Sequence, residues 1–296
     1  MNPKESKLGY SFAAIAYLIW GSLTIYWKQL PMLNAIELLT VRVLFSVVTL
    51  LIVVHLTKNT LYISYLKDRK TRNSLFVTAL LIGTNWGVFV YAINSGHVLQ
   101  TSLGYYIGPL ISVFLGVVIL KEKLNVNQYI AIGLALIGIL YLILSYGVFP
   151  WIAIVIGSSF SMYGLFKKIY HLNSLNSLLV EAILLLPIMI TLTIIVDSNV
   201  QSQIHTTGLY QWIFIVFAGA VTITPLIIFA EGAKRIPLNA IGFLQYITPT
   251  MFLLSGVLIF GETFTKYHAV SFGLIWSGIV VNFVGVSGIS LLRKWS

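Results

Sequence analysis

The sequence predicts an all-α integral membrane protein with ten transmembrane helices, arranged as two inverted five-helix repeats. Three observations lead to this prediction. The 296 residues are 58% apolar and only 9% charged, which leaves too few charges to coat a soluble surface. Ten apolar segments are long enough to cross the ~30 Å hydrocarbon layer as helices. One stretch of the chain also occurs twice at a fixed spacing.

The ten apolar segments follow one another closely along the chain. Each is expected to be helical, because a backbone exposed to lipid must satisfy its own hydrogen bonds. Lysines precede the first segment as in a signal peptide, but it is long enough to span and no small-residue cleavage site follows, so we expect it to be retained. The predicted spans are residues 8–27, 35–56, 74–94, 98–120, 127–145, 149–168, 177–197, 209–230, 238–260 and 267–290.

The repeated stretch is marked by a proline and a glutamate. The first copy reads Tyr106-Ile107-Gly108-Pro109 before an apolar run that leads to Glu122, and the second reads Tyr246-Ile247-Thr248-Pro249 before a run that leads to Glu262. The two prolines and the two glutamates are each 140 positions apart, so the register holds without a gap. Over residues 106–139 this offset matches eleven identical residues. Roughly three would be expected by chance in so apolar a chain.

The repeat has a geometric consequence. Five crossings per half is an odd number, so the second half enters the membrane from the opposite side. Residues 1–145 and 149–290 are therefore predicted to be inverted copies, followed by a short cytoplasmic tail at 291–296. Such symmetry is typical of secondary transporters, which expose one central site to each side of the membrane in turn.

Lysine and arginine set the predicted orientation. With the N-terminus in the cytoplasm, fifteen of the 18 basic residues fall on the inner side; Lys28 and Lys266 fall outside, and Arg42 lies within a span. Anionic lipid headgroups at the cytoplasmic face are sufficient partners for this charge, so no nucleic acid is expected. Both termini are predicted to be cytoplasmic. The other expected partner is a small-molecule substrate, and a homodimer is left open.

Residue types argue against catalysis. The chain has no cysteine, which excludes disulfides, thiolate metal sites and cysteine nucleophiles. No histidine or aspartate lies in the middle of a predicted span, where an acid, a base or a metal ligand would be needed. We therefore expect no enzyme activity, no metal and no cofactor. A membrane sensor or accessory subunit without transport is the alternative function.

Aromatic and polar side chains within the spans predict the wall of a central cavity. A stripe on the first helix, its mirror on the sixth helix, a pair in the third helix and the repeated stretches of the fourth and ninth supply them. Packing between helices, interfacial anchoring of the terminal aromatic residues and interhelical hydrogen bonds are the alternative interpretations. The predicted substrate-binding residues are Tyr17, Trp20, Thr24, Asn85, Trp86, Tyr105, Tyr106, Ser159, Tyr163, Gln245 and Tyr246.

Two prolines and three charged residues complete the predicted site. Pro109 and Pro249 are expected to act as hinges, because each removes a backbone donor and frees a carbonyl on the preceding turn. Glu37, Arg42 and Glu181 are charged residues within the spans, and two readings are open: ion pairing at helix ends, or a role in binding a coupling ion or the substrate. Glu37 and Arg42 are five residues apart and are poor partners for each other, so Arg42 needs an acceptor on another helix or a wet cavity.

Several strings resemble the RarD branch of the EamA-type drug/metabolite transporter superfamily, and the resemblance covers nearly the whole chain. Gly108 departs from it, since the branch usually has asparagine there, and so does Tyr91, where tryptophan is usual. The strings are Ala16-Tyr17-Leu18-Ile19-Trp20-Gly21, Asn85-Trp86, Asn94-Ser95-Gly96-His97-Val98, Ser102-Leu103-Gly104-Tyr105 and Gly242-Phe243-Leu244-Gln245-Tyr246-Ile247-Thr248-Pro249-Thr250.

The resemblance implies a function and an arrangement of the helices. It implies an alternating-access permease of the bacterial cytoplasmic membrane that exports or exchanges small metabolites or drugs. Helices 1, 3, 4, 6, 8 and 9 would line the cavity, with helices 2 and 7 outside it and helices 5 and 10 at the back. A cavity lined by aromatic, amide and hydroxyl groups suits neutral or amphipathic solutes.

Overall fold

The computed structural model describes residues 3–30, 33–95, 98–147, 149–197, 208–259 and 265–292, so the predicted tail is described only to Leu292 and Glu262 lies outside the described residues. The described residues are nearly all helical. They form α1 (Pro3–Trp27), α2 (Ala35–Leu56), α3 (Leu61–Lys67), α4 (Arg69–Asn94), α5 (Val98–Val118), α6 (Val126–Tyr146), α7 (Trp151–Tyr170), α8 (Ser174–Asp197), α9 (Leu209–Arg235), α10 (Leu238–Gln245), α11 (Ile247–Leu258) and α12 (Lys266–Leu292).

The helices coincide with the predicted apolar segments in two different ways. Nine of the ten predicted segments each correspond to one long helix. The remaining segment, at 238–260, is divided into α10 and α11. The basic loop at 57–73 also contains a short helix, α3, that the sequence analysis did not predict. By length and composition six of the described helices can cross a membrane: α1, α2, α6, α7, α8 and α9. The protein is therefore a multi-pass membrane protein, while the number of ten crossings stays a prediction.

The outer surface is apolar. Side chains such as Leu56 and Leu144 are 78% and 79% exposed, and exposed leucine, isoleucine and phenylalanine recur along α6, α8 and α9. A soluble monomer rarely exposes so much continuous apolar surface. This surface is suited to contact with lipid tails.

The main helix contacts join the two halves of the chain. In the first half α1 packs on α9 and α11, α2 on α8 and α9, α4 on α7 and α8, α5 on α7 and α10, and α6 on α12. The largest buried apolar cluster accordingly includes residues of α1, α2, α7, α8, α9 and α10. The interior between the halves is where a shared site is formed.

A glycine determines how closely α2 and α9 approach each other. A Cβ atom at Gly219 would lie 2.1 Å from the backbone carbon of Phe45, so no side chain fits there. The hydroxyl of Ser46 bonds to the carbonyl of Arg42 at 2.6 Å on the same face of α2. The close approach of the two helices at Gly219 brings Arg42 next to the following turn of α9.

Two helices begin with carboxylate caps. Asn34 and Glu37 form a capping box at the start of α2, in which the side-chain oxygen of Asn34 accepts from the Glu37 amide and Glu37 Oε2 accepts from the Asn34 amide at 2.8 Å. Glu122, at the end of the first repeated stretch, caps α10 from the other half. Its two oxygens accept from the amides of Leu238 and Asn239 at 2.7 and 2.9 Å. Glu122 thereby ties the first half to the start of α10.

Candidate functional site

A cavity of about 400 Å³ lies between the two halves of the chain. Helices α1, α2, α4 and α5 contribute its wall from the first half, and α7, α9, α10 and α11 from the second. This size is within the usual range of about 300–1,000 Å³ for small-molecule sites. Its aromatic lining consists of Tyr17, Trp20, Trp27, Trp86, Phe89, Tyr105, Phe160 and Phe252.

Arg42 is the charged residue of this lining, among the residues that the structure describes. Its guanidinium carbon lies 4.6 Å from the ring centroid of Trp27 and 4.8 Å from that of Trp86. Its Nε donates to the hydroxyl of Thr222 on α9 at 3.1 Å. Within the described part of the chain no carboxylate lies within 4.0 Å of it.

These contacts explain how Arg42 is tolerated without a counter-ion. An arginine at the centre of a membrane helix costs about 2.5–3.5 kcal/mol on insertion scales. A desolvated cation–π contact contributes about 2 kcal/mol, and a hydrogen bond from a charged donor about 1.5–3 kcal/mol. Two tryptophans and Thr222 together offset a cost of that size. The positive charge itself is not neutralised, and it faces the cavity.

The polar groups of the cavity differ in the hydrogen bonds that they make to the protein. Asn85 on α4 donates to the carbonyl of Ile156 at 2.8 Å and to the hydroxyl of Ser159 at 3.2 Å, which fixes its amide against α7. The Gln245 side-chain oxygen accepts from the Ser112 hydroxyl at 3.3 Å. The buried hydroxyl of Tyr17 has no hydrogen-bond partner among the described residues.

Six of the predicted substrate-binding residues line this cavity: Tyr17, Trp20, Asn85, Trp86, Tyr105 and Gln245. Ser159 lies behind Asn85, buried on α7. Tyr163 lines a neighbouring cavity of about 30 Å³. The side chain of Thr24 is outside the described part of the structure.

Tyr106 and Tyr246 lie in the layer behind the cavity rather than on its wall. The Tyr106 ring packs edge-on against Phe272 of α12 at 5.1 Å, and the Tyr246 hydroxyl donates to the Tyr106 carbonyl at 3.4 Å. The reason is helical geometry. Consecutive residues point about 100° apart, so only one of Tyr105 and Tyr106 faces the cavity.

The two prolines differ in their local structure. Helix α5 runs through Pro109 without interruption, whereas α10 ends at Gln245 and α11 begins at Ile247, just before Pro249. In both copies the proline leaves the carbonyl four residues earlier without its helical donor. Only in the second copy is the helix interrupted, at Tyr246, whose backbone angles of φ −64° and ψ −13° remain in the helical region. The hinge role of both prolines stays a prediction.

Helix α2 corrects an expectation drawn from the resemblance. The second helix was expected to lie outside the cavity, yet Leu38, Leu39 and Arg42 are part of the wall. The close α2–α9 contact at Gly219 turns this face inward. Helices α6, α8 and α12 contribute none of the described lining residues, as the resemblance implied for helices 5, 7 and 10.

Sequence reasoning missed Trp27 and Thr222. Trp27 continues the stripe of Tyr17, Trp20 and Thr24 by another three residues, so the same periodicity would have found it. Its place at the end of the first helix favoured an interfacial anchor instead. Thr222 carries no comparable signal, because its role depends on which face of α9 meets Arg42.

The buried acids each have a structural partner. Glu37 belongs to the capping box of α2. Glu181 accepts from Lys167 Nζ at 2.6 Å, from the Thr78 hydroxyl at 2.6 Å and from the Tyr163 hydroxyl at 3.3 Å. The fifteen basic residues of the predicted inner side include Lys167. Instead it is buried, with 6% of its side chain exposed against 3% for Glu181.

A water-sized cavity lies beside the Glu181 carboxylate and shares Ile82, Trp86 and Leu226 with the wall of the central cavity. Its volume is about 30 Å³, and its wall includes Glu181, Tyr163, Trp86 and Thr222. Most of its wall is apolar, but Ser46, Tyr163, Glu181 and Thr222 supply polar groups. A space of this size with several polar partners can hold a water molecule. The ion pair therefore lies close to the hydrogen-bond partner of Arg42 without belonging to the central cavity.

Comparison with known proteins places these features in a family. The model of the EamA-like transporter family matches residues 7–144 and again 149–284. An uncharacterized transporter of Bacillus subtilis, YojE, is 37% identical over 95% of both chains, and the protein RarD of Escherichia coli is 35% identical over 95% of both. A protein of Pseudomonas aeruginosa named chloramphenicol-sensitive protein RarD is 27% identical over 74% of this chain and 72% of its own.

A solved crystal structure has the same fold. It superposes with a TM-score of 0.74 over 95% of this chain and 98% of its own, at 15% sequence identity. The resemblance drawn from the residues is thus confirmed by sequence over nearly the whole chain. The protein belongs to the EamA-like transporter family, and its relatives include proteins named RarD.

Proposed function

We propose that this protein is a secondary permease, which moves a small organic molecule across the bacterial cytoplasmic membrane by alternating access, as an exporter or exchanger. The observation that carries the proposal is the central cavity of about 400 Å³, to which both halves contribute aromatic, amide and hydroxyl groups. A relative movement of the halves would open such a cavity to one side and close it to the other.

Ten crossings in two inverted repeats are part of the proposal. The eleven matches at one offset support it, and so do the two separate matches to the family model. Helix packing supports it further. If each helix is replaced by its counterpart in the other half, α1–α9 becomes α7–α4, α2–α9 becomes α8–α4, and α1–α11 becomes α7–α5, and all of these contacts are present. In this proposal the first repeat ends at residue 145 and the second begins at residue 149.

The orientation is proposed from charge. Fifteen basic residues on one side support an orientation with both termini in the cytoplasm, where anionic headgroups would bind these residues. The burial of Lys167 removes one of these residues from the surface without changing the bias. Labelling of single cysteines placed at Lys58 and at Lys266 tests the orientation, because the first should react only from the cytosol and the second only from outside.

Glu37 and Glu181 are proposed to hold helices in place rather than to carry a coupling ion. Both carboxylates are engaged, one at the start of α2 and the other with Lys167. Flux measured in proteoliposomes with and without a pH gradient tests this. Flux driven by the gradient in the native protein and lost in Glu181→Gln would instead assign proton coupling to Glu181.

The permease proposal is tested in two steps. Untargeted comparison of metabolites released by cells with and without the protein nominates the solute, and reconstituted protein then measures its flux. Trp20→Ala on the cavity wall should lower this flux at least about tenfold, a loss equivalent to about 1.4 kcal/mol. Phe217→Ala, at a lipid-facing position that is 58% exposed, should leave it unchanged.

Two results would contradict the proposal. Equal flux in native protein and Trp20→Ala would remove the cavity from the transport route. Absence of flux for every nominated solute, together with a partner protein that stays bound in mild detergent, would favour the sensor or accessory role.

A further inference from the structure

We infer that the cavity binds a small organic monoanion, a carboxylate with an aromatic or apolar body, and that Arg42 binds its charged end. This inference rests on the proposed function, because it names the substrate class of the proposed permease. It replaces the neutral or amphipathic solute that the residue types alone suggested.

The charge balance of the cavity is the first argument. Arg42 brings one positive charge, and no acidic residue is found among the described residues of the lining. The two buried acids of the neighbouring helices are committed elsewhere, Glu37 to Asn34 and Glu181 to Lys167. The charge of Arg42 therefore has no neutralising partner in the described part of the protein.

The geometry of the guanidinium is the second argument. Trp27 and Trp86 both lie within 5 Å of it, and Thr222 takes the hydrogen bond from Nε. The two terminal nitrogens make no hydrogen bond to any residue that the structure describes, and Arg42 is half-buried on the cavity wall. A pair of parallel N–H groups held in one orientation is the arrangement that binds a carboxylate with two hydrogen bonds.

The rest of the wall defines the body of the ligand. Trp20, Phe89, Tyr105, Phe160 and Phe252 surround the space with rings. Rings of this kind pack against apolar or aromatic groups. A single arginine neutralises one negative charge, whereas a dianion would leave an unpaired charge in an apolar enclosure, at a high desolvation cost.

A purely structural role for Arg42 makes a different prediction. As a bridge between α2 and α9, through Thr222 and two tryptophans, Arg42 would confer no preference for one ligand charge over another. An anion site would confer such a preference even in the unmodified protein. The two roles are therefore separated by comparing ligands before any residue is changed.

The experiment uses three probes with the same phenyl body: 4-phenylbutyrate, 4-phenylbutyramide and 4-phenylbutylamine. Binding to the purified full-length protein in detergent is followed by tryptophan fluorescence, since Trp27 and Trp86 flank Arg42. At neutral pH we expect the carboxylate to bind at least about tenfold more tightly than the amide, and the amine not to bind. Equal binding of carboxylate and amide, or no binding of the carboxylate up to its solubility limit, would overturn the inference.

Three variants assign the preference to one side chain. Arg42→Gln should reduce the carboxylate-to-amide ratio to about one. Arg42→Lys should keep a preference for the carboxylate but bind it about three- to tenfold more weakly, because lysine retains the charge and loses the fork. Lys266→Gln removes a positive charge at the exposed start of α12 and should leave the ratio unchanged. An equal loss of the carboxylate-to-amide ratio in Arg42→Gln and in Lys266→Gln would attribute the preference to overall charge and overturn the inference.

Failure of the inference is distinguishable from failure of the proposed function. If flux measurements find that only neutral or cationic solutes are moved, the permease stands and the anion site does not. If the carboxylate binds with the expected preference but no solute is moved, the anion site stands and the permease does not. Should Arg42→Gln fail to fold, the ligand comparison on the native protein and on Arg42→Lys still decides.

Discussion

The two copies of the repeated stretch are alike in sequence but differ in structure. In the first copy α5 is continuous through Pro109 and presents Tyr105 to the cavity. In the second, α10 ends where Gln245 faces the cavity and α11 starts before Pro249. The tyrosine that follows each of these positions lies behind the wall. The repeat thus conserves which position faces inward, while the side chain and the continuity of the helix have diverged.

The residues that precede the two prolines make different hydrogen bonds. Thr248 donates its hydroxyl to the carbonyl of Tyr17, which ties α11 to α1 at 3.0 Å. Gly108 has no side chain, and its carbonyl instead accepts from the hydroxyl of Ser161 on α7 at 2.9 Å. The contact between α1 and α11 and its counterpart between α7 and α5 therefore each contain a hydrogen bond. The donor lies on α11 in one contact and on α7 in the other. Both halves therefore keep this helix contact, although the hydrogen-bond donor belongs to a different helix of the pair in each half.

The cap of α10 gives the largest expected effect on the second copy. Glu122→Ala removes both acceptors from the amides of Leu238 and Asn239, so we expect the free energy of unfolding to fall by about 2–3 kcal/mol. Thermal unfolding in detergent measures it. Glu5→Ala is the matched control, because its ion pair with Arg235 is half-exposed and should contribute at most about 1 kcal/mol. Equal losses would mean that Glu122 does not support α10.

The prolines test whether the helix break matters for transport. Pro249→Ala supplies a donor to the Gln245 carbonyl and favours one continuous helix, so we expect flux to fall about tenfold. Pro109→Ala lies in a helix that is already continuous, and its effect should be about twofold or less. Proteoliposome flux of the same solute measures both variants. Equal effects would show that the two copies move alike despite their different structures.

The fold was predictable from the sequence to the extent that it depends on local composition. Apolar length located the ten long segments, and the spacing of Tyr17 and Trp20 identified one cavity wall. The break before Pro249 was not predictable, because both copies contain the proline and only tertiary contacts distinguish them. The same holds for Lys167, which lies near a helix end but finds Glu181 on the next long helix.

The orientation of Arg42 toward the cavity shows most clearly which features the sequence alone did not predict. Its charge was noticed from the sequence, but its direction depends on the contact of Gly219 with the backbone of Phe45, 174 positions earlier. No local pattern reports such a contact. The resemblance placed the second helix outside the cavity, and the residue types left open whether Arg42 meets an acceptor on another helix or a wet cavity.

The hydroxyl donors of Thr248 and Ser161 can be removed one at a time. Thr248→Val deletes the bond from α11 to α1, and Ser161→Ala deletes the bond from α7 to α5. Each should lower the free energy of unfolding by about 1 kcal/mol, and together about twice that, because the sites are on different helix pairs. Thermal unfolding of the two single variants and the double variant measures this. A clear loss in one and none in the other would mean that only one copy of the contact is structural.

Gly108→Ala has the smallest expected effect on stability, and it tests directly how the two copies diverged. A Cβ atom there would lie 2.7 Å from Nε2 of Gln245, so the Gln245 amide occupies the space that the resemblance assigns to an asparagine side chain. Gly108→Ala should displace this flexible amide and lower flux about threefold, while stability changes by less than about 1 kcal/mol. The comparison is made in the background of Gln245→Ala, where the clash is absent. There Gly108→Ala should have no further effect on flux, and an undiminished effect would mean that Gly108 acts through its close contact with Gly157 on α7 instead.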